Sequence, residues 1–349
     1  SFGVTSVSRL EKYMKCPFMH YVDYVIKVKE REEARLNVRD LGTLMHTVME
    51  NFFGRRYTAD ITDSEIDASV SEIMEEILSQ PQFSYLSSMP SLAGEIKSVR
   101  DRCAYSLKVL CAKMRDSLFR PYALERGFGD GEFYPAVTVD TDGGVLSLRG
   151  KIDRIDRWGD RIAVIDYKSS SKVDFNEKDI VFGHRIQTFI YMAAALSEDG
   201  VKPAGVFYLA FGGGYSDESK DGDKLRYSGF ITSDSEVLRA FDGDAVEDER
   251  KSALYPFKAS VDKDGRIKIM GSGGHVAEDN RLVEFCDYAR KIAGASAGEI
   301  ASGYIQPSPT GKACEYCKYG ALCNRRDVKP RDTGRYELVD SEGADNGLE

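Results

Sequence analysis

The sequence predicts an α/β fold: a mixed central sheet flanked by helices, with a largely helical block ahead of it. Three observations carry this prediction. Leu41, Leu44, Met45, Val48 and Phe52 recur at helical spacing, and Ser64 to Leu78 repeats the pattern. Val145 to Ile155 and Arg161 to Lys168 are β-type runs joined by the turn signal Trp158-Gly159-Asp160. The run Ile162 to Tyr167 is apolar on both faces until its end, as a central buried strand must be.

In chain order, Ser8 to Glu50 reads as helix broken at Cys16-Pro17, with Ser6 or Ser8 as the first cap. The helix over Leu41 to Phe52 carries His46 and Glu50. Asp63 or Ser64 opens the next helix, which stops before Pro81. Ser91 to Glu125 reads as one or two long helices ending at Gly127, so Glu125 could line a site but is read first as having a helix-end role. Strands are expected at Ala136 to Val139, Val145 to Ile155, Arg161 to Lys168, Gly205 to Phe211 and Arg226 to Ile231, and helices at His184 to Leu196 and Val276 to Ala293. One domain is expected over residues 1–326, with a helical part at about 42–127 and the core at about 132–300. Residues 216–223, 242–249 and the acidic tail 327–349 are expected to be mobile or disordered.

At 349 residues with 42% hydrophobic content, the chain can bury a substantial core. Its start at Ser1 reads as that of an excised piece of a longer protein, without a signal peptide. No apolar run approaches a membrane span; the odd cysteine count favours a reducing compartment, and a cytoplasmic setting is expected. Lys and Arg total 48 against 57 Asp and Glu, a net charge of −9, which argues against a general nucleic-acid coat protein. It leaves room for a metal-binding acidic centre. No phosphate-binding P-loop is present.

The hairpin register points to such a centre. If Gly159-Asp160 is a two-residue turn, Trp158 faces Arg161, Asp156 faces Ala163, and Asp153 faces Asp166. Opposed residues share a face with Cβ atoms about 4.5–5.5 Å apart. Lys168, two residues beyond Asp166, projects on that face, whereas Asp156 points away. Two carboxylates this close repel in a dry site unless a cation lies between them. Hard oxygen ligands suit Mg²⁺ or Mn²⁺; a metal there can lower a water's pKa and neutralise charge on a phosphodiester oxygen, and Lys168 can orient the attacking water or stabilise the transition state. The bland reading is a surface hairpin with ordinary charges.

The residues Gly150-Lys151-Ile152-Asp153-Arg154-Ile155-Asp156 and Val164-Ile165-Asp166-Tyr167-Lys168 resemble the core of PD-(D/E)XK nucleases of the RecB type. The segment Gly42 to Glu50 resembles that family's upstream histidine motif, and Gln187-Thr188-Phe189-Ile190-Tyr191 its QxxxY motif. The resemblance implies a restriction-endonuclease-like core. It implies a metal held by His46, Asp153, Asp166 and the carbonyl of Tyr167. It makes Lys168 catalytic, with Gln187 and Tyr191 facing the site. Without it, His46 is an ordinary helix histidine, and Gln187 and Tyr191 a surface pair. Ile152 stands where the family name has Pro, a departure usual in this branch.

Seven cysteines, an odd number, argue against a disulfide framework. Cys103, Cys111 and Cys286 lie in apolar helical patterns and read as core. Cys314, Cys317 and Cys323 form C-x2-C-x5-C and need a fourth ligand. Cys16, exposed at a helix break, is the candidate. A lone C-x2-C more often marks zinc. One upstream CPF cysteine and three downstream, in this order, resemble the iron–sulfur staple of AddB-type helicase–nuclease subunits, which implies a four-iron, four-sulfur cluster (4Fe-4S) with zinc as the alternative. The resemblance further implies a bacterial enzyme of break processing, an exonuclease by analogy, acting on single-stranded or unwound DNA beside an AddA-type partner and near the nucleoid. Arg149, Lys151, Arg154, Lys172, Arg185, Lys312 and Lys318 are candidate phosphate contacts. The rival readings are a CRISPR-associated RecB-like exonuclease, a non-catalytic metal-stapled DNA-binding module and a zinc-stabilised interaction domain.

Overall fold

The computed structural model describes residues 3–28, 38–141, 143–170, 173, 175, 177–211, 225–264, 267–272, 275–315 and 317–323. The expectations for the loop 216–223, the tail 327–349 and Lys172 lie outside these residues.

The chain opens with β1 (Val4–Ser6), α1 (Val7–Lys15) and α2 (Pro17–Tyr21), which runs into a π-helical turn at Val22–Ile26. The helical block follows as α3 (Val38–Arg55), α4 (Asp63–Ser79), α5 (Ser84–Ser87) and α6 (Ala93–Met114). Then come β2 (Arg120–Phe128), β3 (Val137–Thr141), β4 (Gly144–Trp158), β5 (Arg161–Lys168), α7 (Glu177–Val181), α8 (Gln187–Ala195), β6 (Lys202–Ala210) and β7 (Tyr227–Thr232). The last elements are α9 (Ser235–Glu247), β8 (Phe257–Val261), β9 (Ile267–Gly271), β10 (His275–Ala277), α10 (Asp279–Ala301) and α11 (Gly320–Cys323).

Eight strands form one mixed sheet in the order β1-β4-β5-β6-β7-β10, with β2 and β3 also paired to β4. β4 and β5 form the antiparallel hairpin, turning at Gly159 with φ 57°, a conformation glycine adopts without penalty. β5 and β6 are parallel and joined through α8. Apolar side chains of β5 alternate between two cores: Ala163, Ile165 and Tyr167 join the core with α3, α4, α6 and α9, while Ile162 and Val164 join the core with α1, α8 and α10. This two-sided cover explains the uninterrupted apolar run.

Several expected boundaries move. The helix expected to reach Glu125 ends at Met114, and residues 120–128 are a strand on β4. Pro121, whose ring and missing N–H cannot sit inside a helix, bars a helix from running through to Glu125. The helix opened by Asp63 or Ser64 is capped by Thr62, whose hydroxyl accepts from Glu65 N while the Glu65 carboxylate accepts from Thr62 N. The run 242–249, expected to be mobile, is mostly helix: α9 is capped by Asp234 and buries Val237, Leu238, Phe241, Ala245 and Val246. Residue 276 lies in β10, and the last long helix starts later, at Asp279.

Candidate metal centre and catalytic cluster

Regular pairing in the hairpin runs from Trp158 opposite Arg161, through Asp156 opposite Ala163, to Arg154 opposite Ile165. The next position brings Asp153 to the end of β5, where its Oδ2 accepts a 2.8 Å hydrogen bond from the Tyr167 amide. From the other side, α3 delivers His46, whose Nδ1 lies 3.4 Å from the same Asp153 oxygen. Burial opposes a charged His46, but the hydrogen bond and charge of Asp153 outweigh it and raise the imidazole above its ordinary value.

Asp166 is 2% exposed. Burial pushes its carboxyl up, to about 7, against the opposing pull of Lys168 and with the help of Asp153. Lys168 Nζ contacts Asp166 Oδ2, yet that oxygen has no well-directed hydrogen bond. Lys168 also donates to Gln187 Oε1 at 3.2 Å, and Gln187 Nε2 donates to Tyr191 Oη at 2.5 Å. Tyr191 is buried between β4 and α8, where its ring meets Phe128 edge-on. Gly150 is required beside it: a Cβ there would come within 2.7 Å of the Phe128 ring.

Among the described residues, one group of three potential ligands closes to within 4.8 Å: His46, Glu125 and Asp153. Glu125 therefore faces the centre from β2 and does not end a helix. Its φ of 48° is left-handed, a costly state for a non-glycine residue and one found at functional sites. Burial raises its carboxyl above the ordinary range, with Lys151 at 2.8 Å pulling the other way. Periodicity ranks the site-lining reading of this residue second, because the local chain reads as helix until Pro121 is weighed. One imidazole among carboxylates, with an under-bonded buried carboxylate oxygen alongside, suits a hard divalent cation.

The chain's sequence settles its kinship. The model of the PD-(D/E)XK nuclease superfamily matches residues 4–324. The chain belongs to that superfamily. Its mixed sheet flanked by helices agrees with the PD-(D/E)XK fold. It is 32% identical, over 97% of its length, to an ATP-dependent helicase/deoxyribonuclease subunit of Acetivibrio thermocellus. It is 30% identical over 91% of its length to the subunit of that name from Clostridium tetani. It covers 32% and 30% of those proteins, so the chain spans about a third of the curated relatives it matches.

In this PD-(D/E)XK chain, Asp156 turns away from the centre as expected from the register. It pairs instead with Arg154, which is fully buried: Nε to Oδ1 is 2.5 Å and Nη2 to Oδ2 2.6 Å. The guanidinium lies 4.1 Å from the Phe53 ring centre and donates to Tyr167 Oη at 3.4 Å. Arg154 is thus no phosphate contact, a correction to the sequence reading. Lys151 is held by Glu125, and Arg185 stacks over Tyr208 at 5.2 Å.

Cys103, Cys111 and Cys286 are buried in the cores as expected. Cys16 does lie at the break between α1 and α2, but it is 8% exposed and so buried, contrary to the expected exposure. Cys314, Cys317 and Cys323 are partly exposed. Among the described residues the cysteine sulfurs do not close to the spacing of the His46 group. The segment before them is tied to the cysteine-bearing helix end: Thr310 N donates to Lys15 O at 3.1 Å and Thr310 Oγ1 to Met14 O at 2.8 Å. Tyr319 donates to Asp23, which also pairs with Lys12 at 2.8 Å. Among the described residues no helix is long and apolar enough to cross a membrane.

Proposed function

We propose that this chain is a Mg²⁺- or Mn²⁺-dependent deoxyribonuclease domain that hydrolyses phosphodiester bonds within a helicase–nuclease of the AddAB type. The observation that carries the reading is the approach of His46 to Asp153 with the Asp166–Lys168 ion pair close enough for Asp166 to feel both charges, at the ends of α3, β4 and β5. His46, Asp153 and Asp166, with the Tyr167 carbonyl, would hold the cation, and Glu125 is a further ligand. A divalent ion bound there supplies Lewis-acid stabilisation of a phosphodiester oxygen and a nucleophile at neutral pH. Lys168 keeps its proton, because the Asp166 charge outweighs the burial that opposes it. It can therefore donate to a phosphate oxygen or orient the attacking water. Gln187 and Tyr191 fix the direction in which Lys168 points.

The relatives' name, which joins a helicase to a deoxyribonuclease, supports DNA as the substrate. In this reading the chain acts on single-stranded or freshly unwound DNA ends in break processing, with an AddA-type helicase–nuclease as partner and in a bacterial cytoplasmic setting. Exonucleolytic cleavage fits that setting. Cys16, Cys314, Cys317 and Cys323 are the ligands of a 4Fe-4S cluster in this reading. Its support is the four-thiolate donor set and the Thr310 bonds that bring the two cysteine-bearing segments together.

The test is cleavage of end-labelled single-stranded DNA by the whole protein in which this chain occurs, titrated with Mg²⁺ and then with EDTA. Cleavage that rises with Mg²⁺ and is abolished by EDTA supports the reading; cleavage indifferent to both contradicts it.

A further inference from the structure

α8 begins without a cap of its own. Its N-cap position is Ile186, with helical φ and ψ and no side chain able to accept a hydrogen bond, and its first turn has no acidic residue. Helix N-termini expose N–H groups that need partners. Here the partner comes from 176 positions earlier: Glu11 Oε1, on α1, accepts from Gln187 N at 2.9 Å. The bonded residue is the one whose side chain accepts from Lys168 Nζ and donates to Tyr191 Oη.

We infer that Glu11 is a positioning residue for the reaction: its carboxylate fixes the backbone of Gln187, and through Gln187 it fixes the direction of Lys168. This inference rests on the reading of Lys168 as the lysine of the reacting centre. A continuous path runs from Glu11 through Gln187 and Lys168 to Asp166, each link a hydrogen bond or ion pair. Tyr191 holds the amide end of Gln187 and Glu11 holds its main chain, so the group that directs the lysine is anchored at both ends. A carboxylate at a helix N-terminus holds the main chain with the favourable sign of the helix dipole. Glu11 is partly buried, and burial pushes its carboxyl up, while Lys15, Lys168 and the amides of Gln187 and Ile186 favour the charged form. Lys15, one turn further along α1, is the residue whose carbonyl is held by Thr310. α1 therefore joins the cysteine-bearing end of the chain to the lysine of the acidic centre.

The experiment compares Glu11→Ala, Glu11→Gln, Gln187→Ala, the double variant Glu11→Ala/Gln187→Ala and Lys168→Ala in the whole protein, with single-stranded DNA and Mg²⁺. Glu11→Ala should lower kcat about ten- to a hundredfold at unchanged KM, the scale expected when a reacting group is misplaced. Glu11→Gln retains an acceptor for the Gln187 amide and should stay within about threefold of wild type. The double variant should be no slower than Gln187→Ala alone, since both act on one path. Hydrogen exchange of the Gln187 amide should accelerate in Glu11→Ala and not in Glu11→Gln. Full activity of Glu11→Ala, equal impairment of Glu11→Gln, or losses that simply multiply in the double variant would overturn the proposal while Lys168→Ala is inactive. An active Lys168→Ala would overturn the functional reading itself, and with it the role given to Glu11.

Discussion

The Tyr167 amide donates to Asp153 Oδ2 at 2.8 Å, so the backbone of β5 orients a carboxylate of β4. The same oxygen faces His46 Nδ1 at 3.4 Å. One aspartate thus ties the central hairpin to α3, and the acidic centre inherits the rigidity of the sheet.

Glu125 completes the potential ligand group with His46 and Asp153. Glu125→Gln should weaken Mn²⁺ binding by about tenfold or more, the scale at which metal sites respond to loss of an orienting or charged group. Isothermal titration with Mn²⁺ measures this; unchanged affinity would remove Glu125 from the site.

Asp166 gives a pH dependence. Its carboxyl rises from 3.8 to about 7 in the fold, chiefly through burial. A raised acid favours the folded state when protonated, so this contribution is fully present below about 4 and is lost as pH rises through about 7. Asp166→Asn should therefore raise the melting temperature of metal-free protein at pH 8 and change it little at pH 4. Added Mg²⁺ should narrow the gap at pH 8 by stabilising the wild type alone. Thermal denaturation at the two pH values, with and without Mg²⁺, checks the prediction; equal melting temperatures at pH 8 without metal would contradict it.

The Arg154–Asp156 pair is buried on the other side of β4, with side-chain exposures of 0% and 3%. Asp156→Ala leaves the guanidinium uncompensated, which costs about 3–5 kcal/mol in comparable pairs. Urea denaturation should show that loss, and a change below about 1 kcal/mol would mean that the cavity admits water.

How much of this was legible in the sequence depends on the range of the interaction. The hairpin register needed only the Gly159 turn and strand alternation, so the divergence of Asp153 and Asp156 could be worked out in advance. Lys168 and Gln187 were recognisable by motif, but their mutual bond was not. Glu125 is ranked too low by the sequence and Glu11 is hidden in it, for different reasons. Glu125 lies in a strand that local periodicity mistakes for helix, and it acts through a left-handed backbone no pattern encodes. Glu11 acts across 176 positions on a helix terminus whose lack of a local cap becomes meaningful only once α1 lies beside α8. Arg154 was misjudged because a cation in a strand suggests a surface until its partner two residues on is seen to share its buried face.

The proposed cysteine staple predicts a spectroscopic result. Protein prepared without oxygen should carry iron and a visible charge-transfer band. Cys16→Ser should lose both and melt at lower temperature, as metal-linked folds do. A colourless, zinc-loaded wild type would contradict the cluster.

The central claim is that Asp153, Asp166 and Lys168 form a metal-dependent nuclease centre. The most direct measurement is Mg²⁺-dependent cleavage of single-stranded DNA by the whole protein, wild type against Asp166→Ala, with equal folding verified by circular dichroism. The account predicts cleavage by the wild type and a loss of at least about a hundredfold in the variant. Equal cleavage by the two proteins, or no cleavage by the wild type with Mg²⁺ or Mn²⁺, would contradict it.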